Sequence, residues 1–228
     1  MNILAIDTAA EKLSVALSSN DDTWLFEADA GLRHSELVMD GVDTLMRKAA
    51  LKPDDLSGIV CMGGPGSFTG LRIGFSLAKG LALSLGIPFA AIPTLECMAR
   101  PFAAWPGTVV PVLDAKKESF FCALYQGGKR LGPVMDCNPA EIARAITQAA
   151  SQTLLAGPAA QALDEKLTAL GVTGINHEKS LRWGNAETLL LIAREKGAIF
   201  SAAGYSGGPA YIRKSDAEIE LEKQLSNP

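Results

Sequence analysis

A glycine-rich segment at residues 63–70 carries the strongest chemical signal in the sequence. It reads Gly-Gly-Pro-Gly-Ser-Phe-Thr-Gly and lies between two apolar stretches, residues 58–62 and 71–85. At a turn from a strand into a helix, such residues leave backbone N–H groups free to bind an anion at the helix N-terminus. The same composition also lets two backbone segments pack very closely. The sequence predicts one of these two arrangements.

Established nucleotide-binding motifs do not match this segment. A P-loop ends in Gly-Lys-Ser or Gly-Lys-Thr, and a dinucleotide fingerprint is Gly-x-Gly-x-x-Gly with an acidic residue about 20 positions later. Residues 63–74 contain neither pattern. The turn alone therefore does not distinguish phosphate binding from close packing.

Two aspartates are further candidates for nucleotide chemistry. Asp7 and Asp114 each follow a short apolar run, and each precedes a leucine, Leu17 or Leu124, by ten positions. A repeated pattern of this kind is typical of a duplicated structural unit. In actin-like ATPases and sugar kinases, an aspartate near the first turn of each lobe faces a nucleotide and its magnesium ion. The alternative is that both aspartates only cap turns through hydrogen bonds to their own backbone.

Hydrophobic periodicity places these residues within a repeated order of elements. Strands are predicted at residues 2–7, 12–17, 23–28, 58–62 and 87–92, with helices at 35–50 and 71–85 and Ser35 as an N-cap. A boundary at Pro101, Pro106 and Gly107 is followed by strands at 109–114, 119–125, 131–136 and 153–156 and helices at 139–150, 159–170 and 185–196. The pattern predicts two lobes, residues 1–104 and 105–228, the second ending in a polar tail.

Composition excludes several classes of protein. The net charge is −4, and the lysines and arginines are dispersed, which disfavours a stand-alone nucleic-acid-binding module. The four cysteines form no C-x-x-C pair, and isolated thiols are typical of a reducing compartment. With no leader and no long apolar run, the sequence predicts a cytoplasmic protein without a membrane segment. The two histidines, His34 and His177, have no nucleophile motif around them.

The second predicted helix of the first lobe is unusually apolar, and the first adds an apolar side. A helix that is apolar around most of its circumference is covered on more than one side, and Gly74, Ala78 and Ala82 recur at the four-residue spacing that lets another helix come close. We interpret these helices as a surface for a partner, and a thick internal core is the alternative. The predicted partner surface consists of Leu37, Val38, Gly41, Val42, Leu45, Leu71, Gly74, Phe75, Ala78 and Ala82.

Four segments together resemble one known family. They are Ile-Leu-Ala-Ile-Asp-Thr at residues 3–8, His-Ser-Glu at 34–36, the glycine segment through residue 74, and Ile-Pro-Thr-Leu-Glu at 92–96. They closely resemble the bacterial TsaB family, also called YeaZ, and the resemblance extends over essentially the whole chain. It implies an α/β protein with the actin-like ATPase (ASKHA, RNase H-like) fold, built from two similar lobes with mixed sheets.

The resemblance also implies a role in tRNA modification. Family members act in forming N6-threonylcarbamoyladenosine next to the anticodon, in tRNAs that read codons beginning with A. They bind, stabilise and orient the catalytic paralogue TsaD, to which the ATPase TsaE is recruited. The chain is expected to reach tRNA only through that complex, and to form a homodimer when alone.

The resemblance argues against catalysis by this chain. TsaD has a similar glycine turn followed by a His-x-x-x-His metal site, whereas residues 94–98 here read Thr-Leu-Glu-Cys-Met. A catalytic metal usually needs about three protein ligands, so no metal and no catalytic residue are expected. Tight cofactor binding is not expected either, and ATP or ADP would bind only weakly or at the complex interface, facing Asp7, Thr8, Gly64 and Gly66. The alternative function is an autonomous actin-like ATPase or kinase.

Overall fold

The structure is a computed structural model that describes residues 1–20, 22–149, 151–179, 184–195 and 207–213. Its first sheet has the strand order β3-β2-β1-β4-β5. The strand β2 runs antiparallel to its two neighbours, β1 and β3, and β1, β4 and β5 run parallel. These strands are β1 (Ile3–Asp7), β2 (Lys12–Ser19), β3 (Asp22–Asp29), β4 (Gly58–Met62) and β5 (Phe89–Ile92).

The second sheet repeats this order as β10-β7-β6-β11-β12, and a small β8–β9 hairpin pairs with the N-terminal half of β6. The strands β6, β11 and β12 are parallel, while β7 is antiparallel to β6 and β10. The ranges are β6 (Thr108–Asp114), β7 (Phe120–Cys122), β8 (Tyr125–Gln126), β9 (Lys129–Arg130), β10 (Met135–Cys137), β11 (Thr153–Ala156) and β12 (Ile175–His177). Two sheets of the same order indicate two structurally similar lobes with mixed sheets.

Six α-helices accompany the two sheets in the described residues. None of them has both the length and the hydropathy of a membrane-spanning segment. Short 3-10 turns occur at Pro53–Asp55 and Arg100–Phe102. The helices are α1 (His34–Lys48), α2 (Phe68–Leu85), α3 (Thr94–Ala99), α4 (Pro139–Ala149), α5 (Ala160–Ala169) and α6 (Ala186–Glu195).

The ends of α1 and α2 show how local sequence sets the helix limits. The Ser67 hydroxyl accepts a hydrogen bond from the Gly70 amide at 3.3 Å, and Gly86 ends α2 in the left-handed conformation at φ 65°. Ser35, predicted as an N-cap, lies inside α1 instead. That helix begins at His34, after Arg33, and has no side-chain cap. The prediction of Ser35 as the cap is therefore wrong.

Packing assigns α6 to the first lobe, unlike the predicted division at residue 104. Helices α1 and α2 cover one face of the first sheet, and α6 covers the other, where Leu189 and Ile192 are buried against Ile3 and Val60. The prediction placed all of residues 105–228 in the second lobe, because a linear pattern cannot show a chain returning to an earlier sheet. The boundary itself stays a prediction, and the predicted polar tail lies outside the described residues.

Two predictions within the second lobe need correction. The strand predicted at 131–136 is only Met135–Cys137, preceded by the β8–β9 hairpin. Leu124 lies between β7 and β8, whereas Leu17 pairs with Leu4 inside the first sheet. The ten-residue spacing thus does not mark equivalent leucines. Asp7 and Asp114 nevertheless both end the first strand of their sheets.

Candidate functional site

The glycine turn lies between β4 and α2, and the chain itself binds several of its amides. The Gly63 amide donates to the Ile92 carbonyl at 2.7 Å, and the Gly64 amide donates to the Thr94 hydroxyl at 3.1 Å. The Thr94 amide in turn donates to the Gly64 carbonyl at 2.9 Å. The peptide bond from Gly64 to Pro65 is cis. These amides are therefore not available to a phosphate group in the described arrangement.

The remaining glycines of the turn allow a close backbone approach to the loop after β1. A Cβ on Gly66 would lie 2.6 Å from the Ala9 carbonyl oxygen, to which the Ser67 amide donates at 2.8 Å. A Cβ on Gly70 would overlap the Thr8 carbonyl oxygen. Of the two arrangements that the sequence allows, the structure shows close packing.

Asp7 is buried at the centre of this packing, with 2% of its surface exposed. One carboxylate oxygen accepts from the Ala9 amide at 2.9 Å, and the other accepts from the backbone amide and side-chain nitrogen of Asn185 at 3.1 and 3.2 Å. Asn185 directly precedes α6, so the carboxylate lies at a helix N-terminus. Burial raises the pKa of Asp7, although these hydrogen bonds oppose the shift.

Thr8 completes the contact between the β1 loop and α2. Its hydroxyl donates to the Gly70 carbonyl at 2.7 Å, and a Cβ on Gly74 would overlap that hydroxyl. Asp7, Thr8, Gly64 and Gly66 thus lie in or next to the contact between the glycine turn and the loop after β1. Their polar atoms are largely bonded within the chain, and their exposure to a nucleotide stays a prediction.

Sequence reasoning missed the partners of these residues, Asn185, Thr94 and Ser67. Ser67 was detectable, because it is an N-cap type residue just before a long apolar helix. Asn185 precedes an apolar helical run in the same way, which indicates a helix start but not its contact with Asp7. That contact joins residues 178 positions apart, and no local pattern encodes such a distance.

Asp114 holds the matching place in the second lobe but has different surroundings. Its carboxylate accepts from the backbone amide of Lys116 at 2.7 Å and from the Lys116 ammonium at 2.8 Å, and its side chain is 52% exposed. Partial burial raises the pKa of Asp114, and the bonds from Lys116 outweigh that effect, so the pKa lies below its ordinary value. Asp114 thus caps its own turn, which was the alternative interpretation.

The segment at residues 94–98 forms α3 and offers few groups to a metal ion. Thr94 is bonded to the glycine turn, Met98 lies in an apolar cluster, and burial raises the pKa of the Cys97 thiol well above its ordinary value. No group of three His, Cys, Asp or Glu side chains suited to a metal exists within the described ranges. The donor set does not fit the metal site of TsaD.

Neither histidine belongs to a nucleophile arrangement. His34 is the first residue of α1 and is buried. His177 lies at the end of β12, and its Nδ1 is 2.6 Å from an oxygen of Asp164.

A cavity of about 270 Å³ lies between the lobes. Met98 and Phe102, which pack with the second sheet, line it together with Gly157, while Asn185 lies at the start of α6, which packs on the first sheet. Glu178 is also in its wall, where burial raises the pKa of its carboxyl group. The cavity marks the position of a cleft between the two sheets.

Nine of the ten residues predicted to bind a partner are buried within the chain, which corrects that prediction. They face the chain's own sheet: Gly41 approaches Phe26, and Gly74 approaches Thr8. An apolar pattern shows that a helix side is covered, but not whether its own sheet or another protein covers it. The buried nine are Val38, Gly41, Val42, Leu45, Leu71, Gly74, Phe75, Ala78 and Ala82, and only Leu37 is partly exposed.

The outer side of the same helices carries another apolar surface. Ile73, Leu77 and Leu81 are only partly buried and, at four-residue spacing, follow one side of α2. Gly80 lies beside them and is exposed, and a Cβ added to it would have no neighbouring atom within 4 Å. Leu37 of α1 is the fifth member. We call Leu37, Ile73, Leu77, Gly80 and Leu81 the outer helix surface.

The fold and the site define an actin-like α/β protein with two lobes and a glycine turn packed against its own chain. Residues 28–220 match the family described as TsaD: tRNA N6-adenosine threonylcarbamoyltransferase. Because this match covers most of the chain, the chain belongs to that family.

Individual relatives agree with this assignment. The chain is 42% identical over 128 residues to the tRNA threonylcarbamoyladenosine biosynthesis protein TsaB of Bacillus subtilis, over 55% of this chain and 56% of the relative. For TsaB of Escherichia coli the identity is 37% over 131 residues, 55% of each chain. The chain thus spans about half the length of the curated relatives it matches. YeaZ from Pseudomonas aeruginosa has the same fold, with a TM-score of 0.79 at 24% identity over 92% of this chain and 99% of that one.

Proposed function

We propose that this chain is a non-catalytic subunit in the formation of N6-threonylcarbamoyladenosine next to the anticodon of tRNAs that read codons beginning with A. In this proposal it binds a TsaD subunit, stabilises it and orients it for transfer of the threonylcarbamoyl group to tRNA. TsaE joins the pair, and tRNA is held by the complex rather than by this chain alone. The names of the TsaB relatives support this direction.

The observation that carries the non-catalytic part is the internal bonding of the glycine turn and Asp7. An actin-like ATPase needs a carboxylate that faces magnesium and amides that face phosphates. Here the Asp7 carboxylate is buried and accepts from Ala9 and Asn185, and the Gly63 and Gly64 amides donate within the chain. Opening this arrangement would leave buried polar groups without partners, at about 1–3 kcal/mol each.

The proposed partner surface is the outer helix surface. Its side chains are apolar but incompletely covered by the chain, whereas the opposite side of α2 is already packed on the sheet. A partner helix can come close at Gly80, where the chain has no Cβ. In the absence of TsaD, a second copy of this chain is the proposed occupant of the same surface.

Replacing Gly80 by arginine tests this proposal. The new side chain projects into open space, so the fold should be retained while a helix at the surface is displaced. Gly132→Arg is the matched control, because Gly132 in the second lobe is equally exposed and equally free of neighbours. Mixtures with the TsaD of the same organism should be compared by size-exclusion chromatography and calorimetry.

We expect Gly80→Arg to weaken binding of TsaD at least about tenfold, roughly 1.4 kcal/mol, and Gly132→Arg to leave it unchanged. Equal binding by both variants would exclude the outer helix surface. Failure of the unaltered chain to bind TsaD at all, together with ATP hydrolysis by the chain alone, would instead support the autonomous ATPase.

A further inference from the structure

Residues 207–213 run along the first lobe, outside both sheets. The Ala210 amide donates to the Gly63 carbonyl at 2.7 Å, and the Lys79 ammonium donates to the Gly207 carbonyl at 3.2 Å. A Cβ on Gly64 would lie 2.5 Å from the Ala210 carbonyl oxygen. The segment therefore packs directly on the glycine turn and on α2.

An aromatic contact adds to this attachment. The rings of Phe68 and Tyr211 are 4.8 Å apart between centroids, and the Arg72 guanidinium lies 3.8 Å from the centroid of the Phe68 ring. The Arg72 Nε also donates to the Tyr211 hydroxyl at 3.1 Å. Stacking and cation–π contacts of this kind favour one orientation of the segment.

The last described residue of the segment binds the other lobe. The Arg213 guanidinium makes two parallel hydrogen bonds of 2.7 Å to the carboxylate of Asp136 in β10, and a third of 2.8 Å to the Ala115 carbonyl after β6. The two side chains are only 27% and 18% exposed. A bidentate, largely covered pair is stronger and more directional than a surface ion pair.

We infer that residues 207–213 act as a strap that fixes the angle between the two lobes, with Arg213 as its anchor on the second lobe. One end of the strap is bonded to the glycine turn and the other to β10, so a change in the angle must stretch or release it. Arg213 is held firmly in that connection, because two hydrogen bonds to Asp136 and one to the Ala115 carbonyl leave the guanidinium little freedom. This inference does not depend on the proposed function.

Two measurements on the full chain test the strap. Hydrogen exchange reports on the Ala210 amide, which the strap protects through its bond to Gly63. Pulsed electron–electron double resonance between spin labels introduced at Lys48 and Gln161, in a Cys137→Ser background, reports on the distance between the lobes. The two sites are exposed, and they lie on α1 and α5, which belong to different lobes. Cys61, Cys97 and Cys122 are buried and should not be labelled.

Asp136→Asn removes the charge pair at constant side-chain length, and Arg213→Gln removes it with a shorter, neutral side chain. For both variants we expect exchange of the Ala210 amide to be at least about tenfold faster and the distribution of label distances to be broader. Arg213→Lys keeps the positive charge but cannot form the two parallel hydrogen bonds of a guanidinium. Its Ala210 exchange rate and its distance distribution should lie between those of the unaltered chain and the neutral variants. Arg47→Gln, which removes the ion pair with Asp43 at a highly exposed site on α1, is the control and should match the unaltered chain.

Exchange of the β1 amides shows whether the variants remain folded. Unchanged Ala210 exchange and an unchanged distance distribution in both variants would overturn the strap. Loss of protection in β1 together with Ala210 would also overturn it, because Arg213 would then hold the whole fold rather than the angle between the lobes. Faster Ala210 exchange with β1 still protected, and a broader distribution, would support it.

Discussion

Asp7 and Asp114 end the first strands of the two sheets, and each carboxylate accepts a hydrogen bond from the amide two residues later, at 2.9 and 2.7 Å. The two turns are alike, but their surroundings differ. Asp7 is buried and also holds the start of α6 through Asn185, whereas Asp114 is half-exposed beside Lys116. The first aspartate therefore has a role in stability that the second lacks.

The contrast predicts unequal effects of the same substitution. Asp7→Ala removes an acceptor from three buried or partly buried donors and should lower the free energy of unfolding by roughly 3 kcal/mol. Asp114→Ala should lower it by less than about 1 kcal/mol, because its lysine partner is exposed. Urea titrations of the two variants measure the difference. Equal losses would mean that the bonds from Asn185 do not contribute as described.

The two glycines of α2 give a second prediction. A side chain at Gly74 meets the Thr8 hydroxyl, while one at Gly80 meets open space. Gly74→Leu should therefore destabilise the chain by about 2 kcal/mol or more through overpacking, and Gly80→Ala should stabilise it by about 0.5–1 kcal/mol through helix propensity. Thermal melting checks both directions. A stable Gly74→Leu variant would show that this side of α2 is not core.

The N-cap of α2, Ser67, gives a third prediction. Ser67→Ala removes the acceptor for the Gly70 amide and should cost about 1 kcal/mol. Ser35→Ala is the natural control, because Ser35 is an exposed position inside α1, and its effect should stay within about 0.5 kcal/mol. The reverse order of the two losses in denaturant titrations would restore Ser35 as the cap.

The raised pKa of Glu178 predicts that the stability of the chain depends on pH. Burial raises the pKa of its carboxyl group in the folded chain, while the backbone hydrogen bond from Gly157 opposes the shift. The folded state therefore binds the proton more tightly than the unfolded state. The resulting stabilisation is complete below the unfolded pKa of about 4.3 and is lost as the pH rises through the folded value.

Glu178→Gln removes this titration but keeps a carbonyl oxygen for the Gly157 amide. Relative to the unaltered chain, the variant should become more stable between about pH 4 and pH 7. Melting temperatures of both proteins across this interval provide the measurement. A difference that stays constant, or moves in the opposite direction, would refute the raised pKa.

Much of the fold could be predicted from local patterns in the sequence. The strand at residues 58–62 and the one at 153–156 were predicted with their observed ends, because each is a short apolar run between turn residues. The actin-like class and the family followed from four segments taken together, residues 3–8, 34–36, 63–74 and 92–96. Helix ends were less certain, as Ser35 shows, because several residues near a helix start are suitable caps.

Long-range contacts were beyond prediction from local patterns. The bond between Asp7 and Asn185, the return of α6 to the first sheet, and the pair formed by Arg213 and Asp136 join distant parts of the chain. The prediction of the partner surface was wrong for a related reason. Gly74 and Ala78 show the spacing of a helix contact, but the same spacing serves close packing on the chain's own β1 loop.

The most direct test of a non-catalytic subunit is the rate of threonylcarbamoyl transfer to tRNA by TsaD and TsaE with the Asp114→Asn chain in place of the unaltered one. An actin-like ATPase needs this aspartate, whereas a supporting subunit does not, and its exposed position should leave folding intact. We predict a rate within about twofold of the unaltered chain, and loss of transfer when the chain is omitted. A fall of about a hundredfold or more with Asp114→Asn, roughly 2.7 kcal/mol, would contradict the proposal and indicate catalysis by this chain.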